Sequence, residues 1–257
     1  FTEGTALDKA LTIMKGTALI TGSTGGLGSA VAARMAADGY RLILHYHQHK
    51  EKAEQLRDSL PGLPGHHLIV AADLRIEDQI AAMAAFIEKE NAQPDILINN
   101  AGIPFSGLSW KQTAADWDEL FSVNTKAPWL VSKYLIPMMR QKTSGRIVYF
   151  SSVVAHRPPA GTTAYAASKA ALEGLTRAQA VELSKFGITV NCIAPGYFDA
   201  GMISSVDETI RQDIIRNTPA QRLGMAEELA EAVLYLCSST SSFTTGQIIH
   251  INGGLYI

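Results

Sequence analysis

The chain of 257 residues carries 22 basic and 24 acidic side chains, a formal net charge of −2, and is 47% hydrophobic and 18% charged. That balance excludes a disordered chain and leaves enough apolar residues for a substantial core, while the near-neutral charge argues against nucleic acid as a partner. No apolar run reaches the roughly 18–20 residues of a membrane span, so no membrane attachment is expected.

Residues 1–13 lack the basic start and apolar block of a signal peptide and read as an N-terminal extension or expression remnant. Residues 14–257 read as one domain, beginning at Met14. The strand candidates are Thr17–Thr21, Arg41–Tyr46, His67–Ala71, Asp95–Asn99, Arg146–Ser151, Ile188–Ala194 and Gln247–Ile251. Their cores are almost continuously apolar, as in strands buried on both faces of a parallel sheet. Helical patterns alternate with them: Leu27–Asp38, Glu51–Leu60, Ile76–Asn91, Ala114–Gln141, Ala164–Phe186, Glu208–Asn217 and Glu227–Ser238. The alternation predicts an α/β fold, a doubly wound, Rossmann-type parallel sheet of about seven strands with helices on both faces. Ligands of such sheets bind beyond the carboxyl ends of the strands, and the chemically informative residues follow the strands.

The first strand runs into Thr21-Gly22-Ser23-Thr24-Gly25-Gly26-Leu27-Gly28 and then a helix. Glycines let the backbone turn tightly and approach a pyrophosphate, and the helix N-terminus supplies free N–H groups and partial positive charge. The seven residues Gly22–Gly28 are therefore candidate cofactor contacts. At the end of the second strand His45, Tyr46 and His47 are followed by Gln48 and His49, with no carboxylate to bind a ribose 2′-hydroxyl. This favours NADP(H) over NAD(H), although the histidines read equally well as a solvated loop. No metal-ligand spacing is present among the His and Cys residues, and Cys192 and Cys237 read as reduced core thiols, consistent with the cytoplasm.

Tyr165 and Lys169 stand four apart at the start of an apolar helix and share one face. An ammonium about 4 Å from a phenolate contributes roughly 4 kcal/mol at an effective dielectric near 20, enough to bring a tyrosine from about 10 towards 7. Such a tyrosine can give a proton to a carbonyl or take one from an alcohol. Ser152 closes the fifth strand thirteen residues earlier. No G-x-S-x-G elbow surrounds it, which excludes a nucleophilic hydrolase.

The T-G-x-x-x-G-x-G turn, Ser152 and the Tyr165–Lys169 pair together resemble the short-chain dehydrogenase/reductase family of the classical type, over nearly all of residues 14–257. The resemblance implies that Ser152 holds the substrate oxygen, Tyr165 is the acid/base and Lys169 also binds the nicotinamide ribose. It implies that Asn124 supports a proton relay, that Asn99-Asn100-Ala101-Gly102 steadies the sheet and lines the cofactor site, that Asp73 and Leu74 lie near the adenine, and that Pro195, Gly196 and Phe198 lie near the nicotinamide. Within the family, GRIVYFSSVVA, GITVNCIAPGY, TPAQRLG and INGGLYI resemble the 3-oxoacyl-(acyl carrier protein) reductase group.

That resemblance implies an NADPH-dependent reductase of a 3-oxoacyl thioester, with acyl carrier protein as a candidate partner and a homotetrameric assembly. A family member acting on another ketone, alcohol or sugar is the alternative, and a non-catalytic cofactor-binding regulator a third reading. Three positions depart from the group. Gly25 stands where an arginine often reaches the 2′-phosphate, Ala200 where a threonine is usual, and Val181 where a basic residue serves carrier-protein docking. A substrate lid is expected near 197–219. Its apolar members Phe198, Met202, Ile203 and Val206 suit an acyl chain or pack the lid's own helices.

Overall fold

The computed structural model describes residues 15–63, 65–201, 203 and 206–257. The extension at 1–13, Met14 and Met202 lie outside them. The strands are β1 (Thr17–Ile20), β2 (Arg41–Tyr46), β3 (Leu68–Ala71), β4 (Ile96–Asn99), β5 (Gly145–Phe150), β6 (Ile188–Pro195) and β7 (Ile248–Ile251). The helices are α1 (Gly26–Ala37), α2 (Lys50–Ser59), α3 (Glu77–Lys89), α4 (Ala114–Phe121), α5 (Ala127–Gln141), α6 (Thr163–Leu183), α7 (Glu208–Asn217) and α8 (Ala226–Cys237).

All seven strands form one parallel sheet in the order β3-β2-β1-β4-β5-β6-β7. Successive strand residues face opposite sides, and both sides are apolar. On one side Leu19, Ile43, Leu97 and Val190 pack against Ile80, Met83, Leu130, Leu135 and Leu172 from α3, α5 and α6. On the other, Ala18, Ile20, Leu42, Ile98 and Ile193 pack against Val31, Met35, Leu229 and Val233 from α1 and α8. Continuous apolar strands are therefore the physical requirement of a sheet covered twice.

β1 pairs with β2 on one side and β4 on the other, Leu19 matching both Ile43 and Leu97. Chain order reverses here, and the connections diverge to opposite faces. A crevice opens at such a point beyond the carboxyl ends.

The helix expected over Ala114–Gln141 is interrupted. Ser122–Lys126 form a π-helical turn between α4 and α5, with Asn124 inside it. The widened turn redirects one side chain without ending the helix, a feature frequent at functional sites.

Candidate active site

A cavity of about 920 Å³ occupies the crevice and reaches from the end of β2 to the start of α6. Its floor is the turn between β1 and α1. Gly22 adopts a left-handed φ of +62°, and a Cβ there would meet the Ala101 backbone at 3.0 Å. At Gly28 a Cβ would stand 2.5 Å from the Gly22 carbonyl, so only glycine lets helix and turn approach. Asn100 donates both to the Thr21 and to the Gly22 carbonyl at 3.0 Å, and the Ala101 N–H donates to Thr21 Oγ1 at 3.0 Å. The N-cap of α1 is Gly25, and Gly26, Leu27 and Gly28 of the first turn line the cavity. These N–H groups and the positive end of the helix fit a pyrophosphate.

Two expected contacts of this turn have other roles. Ser23 is fully buried, does not line the cavity, and donates through Oγ to the His45 carbonyl at 3.0 Å. His45 borders the cavity but is a brace rather than a basic group. Its Nδ1 accepts from the Gly22 N–H at 3.1 Å, which leaves the proton on Nε2, 3.0 Å from the Ala72 carbonyl. Burial pushes the imidazole down to about 4.

At the far end, Tyr46, His47, Gln48, His49, Asp73, Leu74 and Arg75 line the cavity with Glu119. Arg75 was not legible as a site residue, though it stands two positions after Asp73. Its Nε and Nη2 donate to the Asp73 carboxylate at 2.9 and 2.7 Å, and these bonds hold that carboxyl down at about 2. His47 lies 3.5 Å from the same carboxylate, and Arg75 also reaches Glu119 at 3.3 Å.

The reacting end joins β5, α6 and the loop after β6. Ser152 is extended, and its Oγ accepts from the Val154 N–H at 3.2 Å. The Ser152 hydroxyl stands near the Tyr165 hydroxyl and opposes in part the effect of burial on it. Lys169 departs from the expected charge pair. Its Nζ donates to the Phe150 carbonyl at 2.8 Å and lies 5.9 Å from the centre of the Tyr165 ring. The carbonyl at the end of β5 captures the ammonium, so no lysine charge offsets the burial that raises Tyr165 above its ordinary range. Burial also pushes Lys169 down to about 8.

Asn124 does not open onto the cavity. It is buried, its Oδ1 accepting from the Ile103 N–H at 2.8 Å and its Nδ2 donating to the Ile103 carbonyl at 3.0 Å. It stands beside the reacting groups nonetheless. A Cβ on Gly102 would be 3.2 Å from both Asn124 Oδ1 and Lys169 Nζ.

Pro195 and Gly196 line the same end, with Tyr197 and Ala200. Phe198 borders it but is buried in the core of the α1–α8 side, its ring against Gly224. Ile203 is also buried, so these lid residues pack inward at least as much as they face substrate. Pro104, Phe105, Val154, Pro159 and Thr162 also line the cavity. They come from loops whose approach only the fold defines.

The sequence matches a family model described as enoyl-(acyl carrier protein) reductase over residues 22–256. It is 32% identical over 244 residues to the 3-oxoacyl-(acyl carrier protein) reductase of Staphylococcus aureus, covering 95% of this chain and 99% of the relative. The chain belongs to the short-chain dehydrogenase/reductase family. It is 37% identical over 238 residues to nodulation protein G of Azospirillum brasilense, covering 93% of this chain and 97% of that one. Among solved structures it superimposes with a TM-score of 0.89 on an Agrobacterium tumefaciens protein assigned as a gluconate dehydrogenase, 30% identical, covering 96% of this chain and 99% of the other. A short-chain dehydrogenase/reductase double mutant from Serratia marcescens gives the same score at 29% identity. The protein is thus an NAD(P)-dependent oxidoreductase acting between alcohol and carbonyl.

Among the described residues no group of three His, Cys, Asp or Glu could hold a metal, and no helix is long and apolar enough to cross a membrane. Both cysteines are free and buried, and burial pushes each thiol up to about 12.

Proposed function

We propose that the protein is an NADPH-dependent reductase of a 3-oxoacyl thioester. The observation that carries this reading is the makeup of the cavity beyond the serine–tyrosine pair. Pro104, Phe105, Val154, Pro159, Tyr197 and Ile203 line it, and Lys169 is the only lysine or arginine among the described lining residues at that end, already engaged by a backbone carbonyl. A sugar acid would bring a carboxylate needing a cationic partner, whereas a neutral acyl chain needs an apolar wall.

When bound, the nicotinamide supplies the hydride. Ser152 holds the carbonyl oxygen, and Tyr165, kept protonated by burial, gives that oxygen a proton. Lys169 anchors the nicotinamide ribose, and Asn124 belongs to the proton relay behind the lysine. Gly22 and Thr24–Gly28 hold the pyrophosphate, Asp73 and Leu74 border the adenine, and Ala101, Gly102, Pro195 and Gly196 border the nicotinamide. The preference for NADP(H) is supported by the absence of a carboxylate over Tyr46–His49. Residues 14–257 act as one catalytic domain of a cytoplasmic homotetramer that accepts its acyl group from a carrier such as acyl carrier protein.

The test is NADPH oxidation with acetoacetyl-coenzyme A, run beside NADH and beside Tyr165→Phe. We expect turnover with a higher kcat/KM for NADPH than for NADH. The variant should lose about 100-fold or more of kcat, the scale of a lost general acid. No turnover with cofactor binding retained would refute the acyl-thioester assignment and leave the oxidoreductase standing.

A further inference from the structure

Behind the reacting pair lies a second polar cluster that the proposed mechanism does not use. Glu173 is the third of three residues spaced by four along α6, after Tyr165 and Lys169, and is buried. Its Oε1 takes two hydrogen bonds: from Ser151 Oγ at 2.8 Å and from His156 Nε2 at 2.7 Å. Ser151 is the neighbour of Ser152. His156 ends the short 3₁₀ turn Val153–Ala155 that Ser152 caps, its N–H donating to the Val153 carbonyl at 3.0 Å. One carboxylate oxygen therefore grips the turn bearing the reacting serine at both of its ends.

The C-terminal segment closes the cluster from outside. The His156 ring lies 4.6 Å from His250 on β7 and 4.7 Å from Tyr256. Arg157 Nη1 donates to the Leu255 carbonyl at 2.8 Å, and Asn252 Nδ2 to the Tyr256 carbonyl at 2.9 Å. An ionised carboxylate is costly to bury unless donors compensate it. An apolar side chain could fill this place on α6 but could not fix the serine turn against the helix that carries the tyrosine.

We propose that Glu173 and His156 are positioning residues, setting the Ser152 hydroxyl against the Tyr165 hydroxyl without touching substrate. The proposal rests on the reading of Ser152 and Tyr165 as the reacting pair. Glutamine at 173 keeps the accepting oxygen, and leucine removes it. Phenylalanine at 156 keeps the aromatic packing, and glutamine there restores a donor.

The experiment measures kcat, cofactor KM and cofactor affinity for Glu173→Leu, Glu173→Gln, His156→Phe and His156→Gln, with NADPH and acetoacetyl-coenzyme A. Crystal structures of His156→Phe and of the unaltered protein accompany the kinetics. We expect Glu173→Leu and His156→Phe to lose about tenfold or more in kcat with cofactor KM within about twofold, the scale of a small misplacement of reacting groups. The two glutamine variants should recover most of that loss, and the Ser152 hydroxyl should stand further from the Tyr165 hydroxyl in His156→Phe than in the unaltered protein. Should Glu173→Leu not fold, His156→Phe carries the test. Unchanged kcat, or a loss shared equally by cofactor affinity, would overturn the proposal, as would an unchanged distance between the two hydroxyls in His156→Phe. The structural arm does not depend on which ketone is reduced, so failure of the acyl-thioester reading is told apart from failure of the brace.

Discussion

His45 is a buried imidazole held between two loops that border the cofactor cavity. Its proton position follows from its partners: the Gly22 N–H can only donate, so Nδ1 accepts and Nε2 donates to Ala72. Cationic His45 would break the first bond. With the folded value near 4 and the unfolded value near 6.5, the unfolded chain binds a proton between them that the native chain does not. Stability from this residue is therefore complete above pH 6.5 and is lost as pH falls to 4, by about 3 kcal/mol in all. Guanidinium unfolding at pH 7 and pH 4 should show the unaltered protein losing about that much more than His45→Gln, which cannot titrate. An equal loss in both proteins would refute the assignment. Nothing in the run His45-Tyr46-His47 marks the first histidine as a brace and the third as a rim residue. The difference arises because β2 ends at Tyr46: His45 is still within the covered sheet, whereas His47 lies beyond it and is exposed, a matter of burial rather than residue type.

At the scale of elements, legibility follows the strength of the physical signal. The strands were readable because a sheet covered on both faces demands continuous apolar runs. The turn before α1 was readable because its close approaches exclude side chains at Gly22 and Gly28. The π-helical turn was not, since one extra residue in a turn leaves the apolar pattern of a long helix almost unchanged. Nor was the partner of Lys169, because spacing by four places it near Tyr165 but says nothing of a carbonyl arriving from β5. The π-turn aims Asn124 at both backbone groups of Ile103, a residue that lines the cavity. Asn124→Ala would strip both partners from a part-buried peptide, a cost of about 1–3 kcal/mol. The urea midpoint should fall accordingly, and the Ile103 amide should exchange faster with solvent. A midpoint and an Ile103 exchange rate both unchanged would show that the turn holds its shape without the asparagine.

Across the whole molecule, α6 has two working faces. Tyr165, Lys169 and Glu173 look towards the sheet and the cavity. On the opposite side Gly174, Ala178 and Val181 recur at helical spacing and are exposed, Val181 by 82%. Beside them Phe121, Trp129 and Leu175 line a groove of about 500 Å³, and Trp117 stacks on Phe121 at 4.5 Å. Large apolar side chains gathered on one face mark an interaction surface. Small residues along α6 would let a partner helix approach closely, and a two-fold arrangement would bring the same surface from both copies. The homotetramer proposed above would use this face for one of its interfaces. Val181→Arg combined with Trp129→Arg should then reduce the mass found by light scattering from four chains to about two, because one of two interface types is lost. The helix packed across that interface also carries the tyrosine and lysine, so kcat should fall with the mass. A tetramer that survives both charges would place its contacts elsewhere, and an unaltered protein running as one chain would refute the assembly itself.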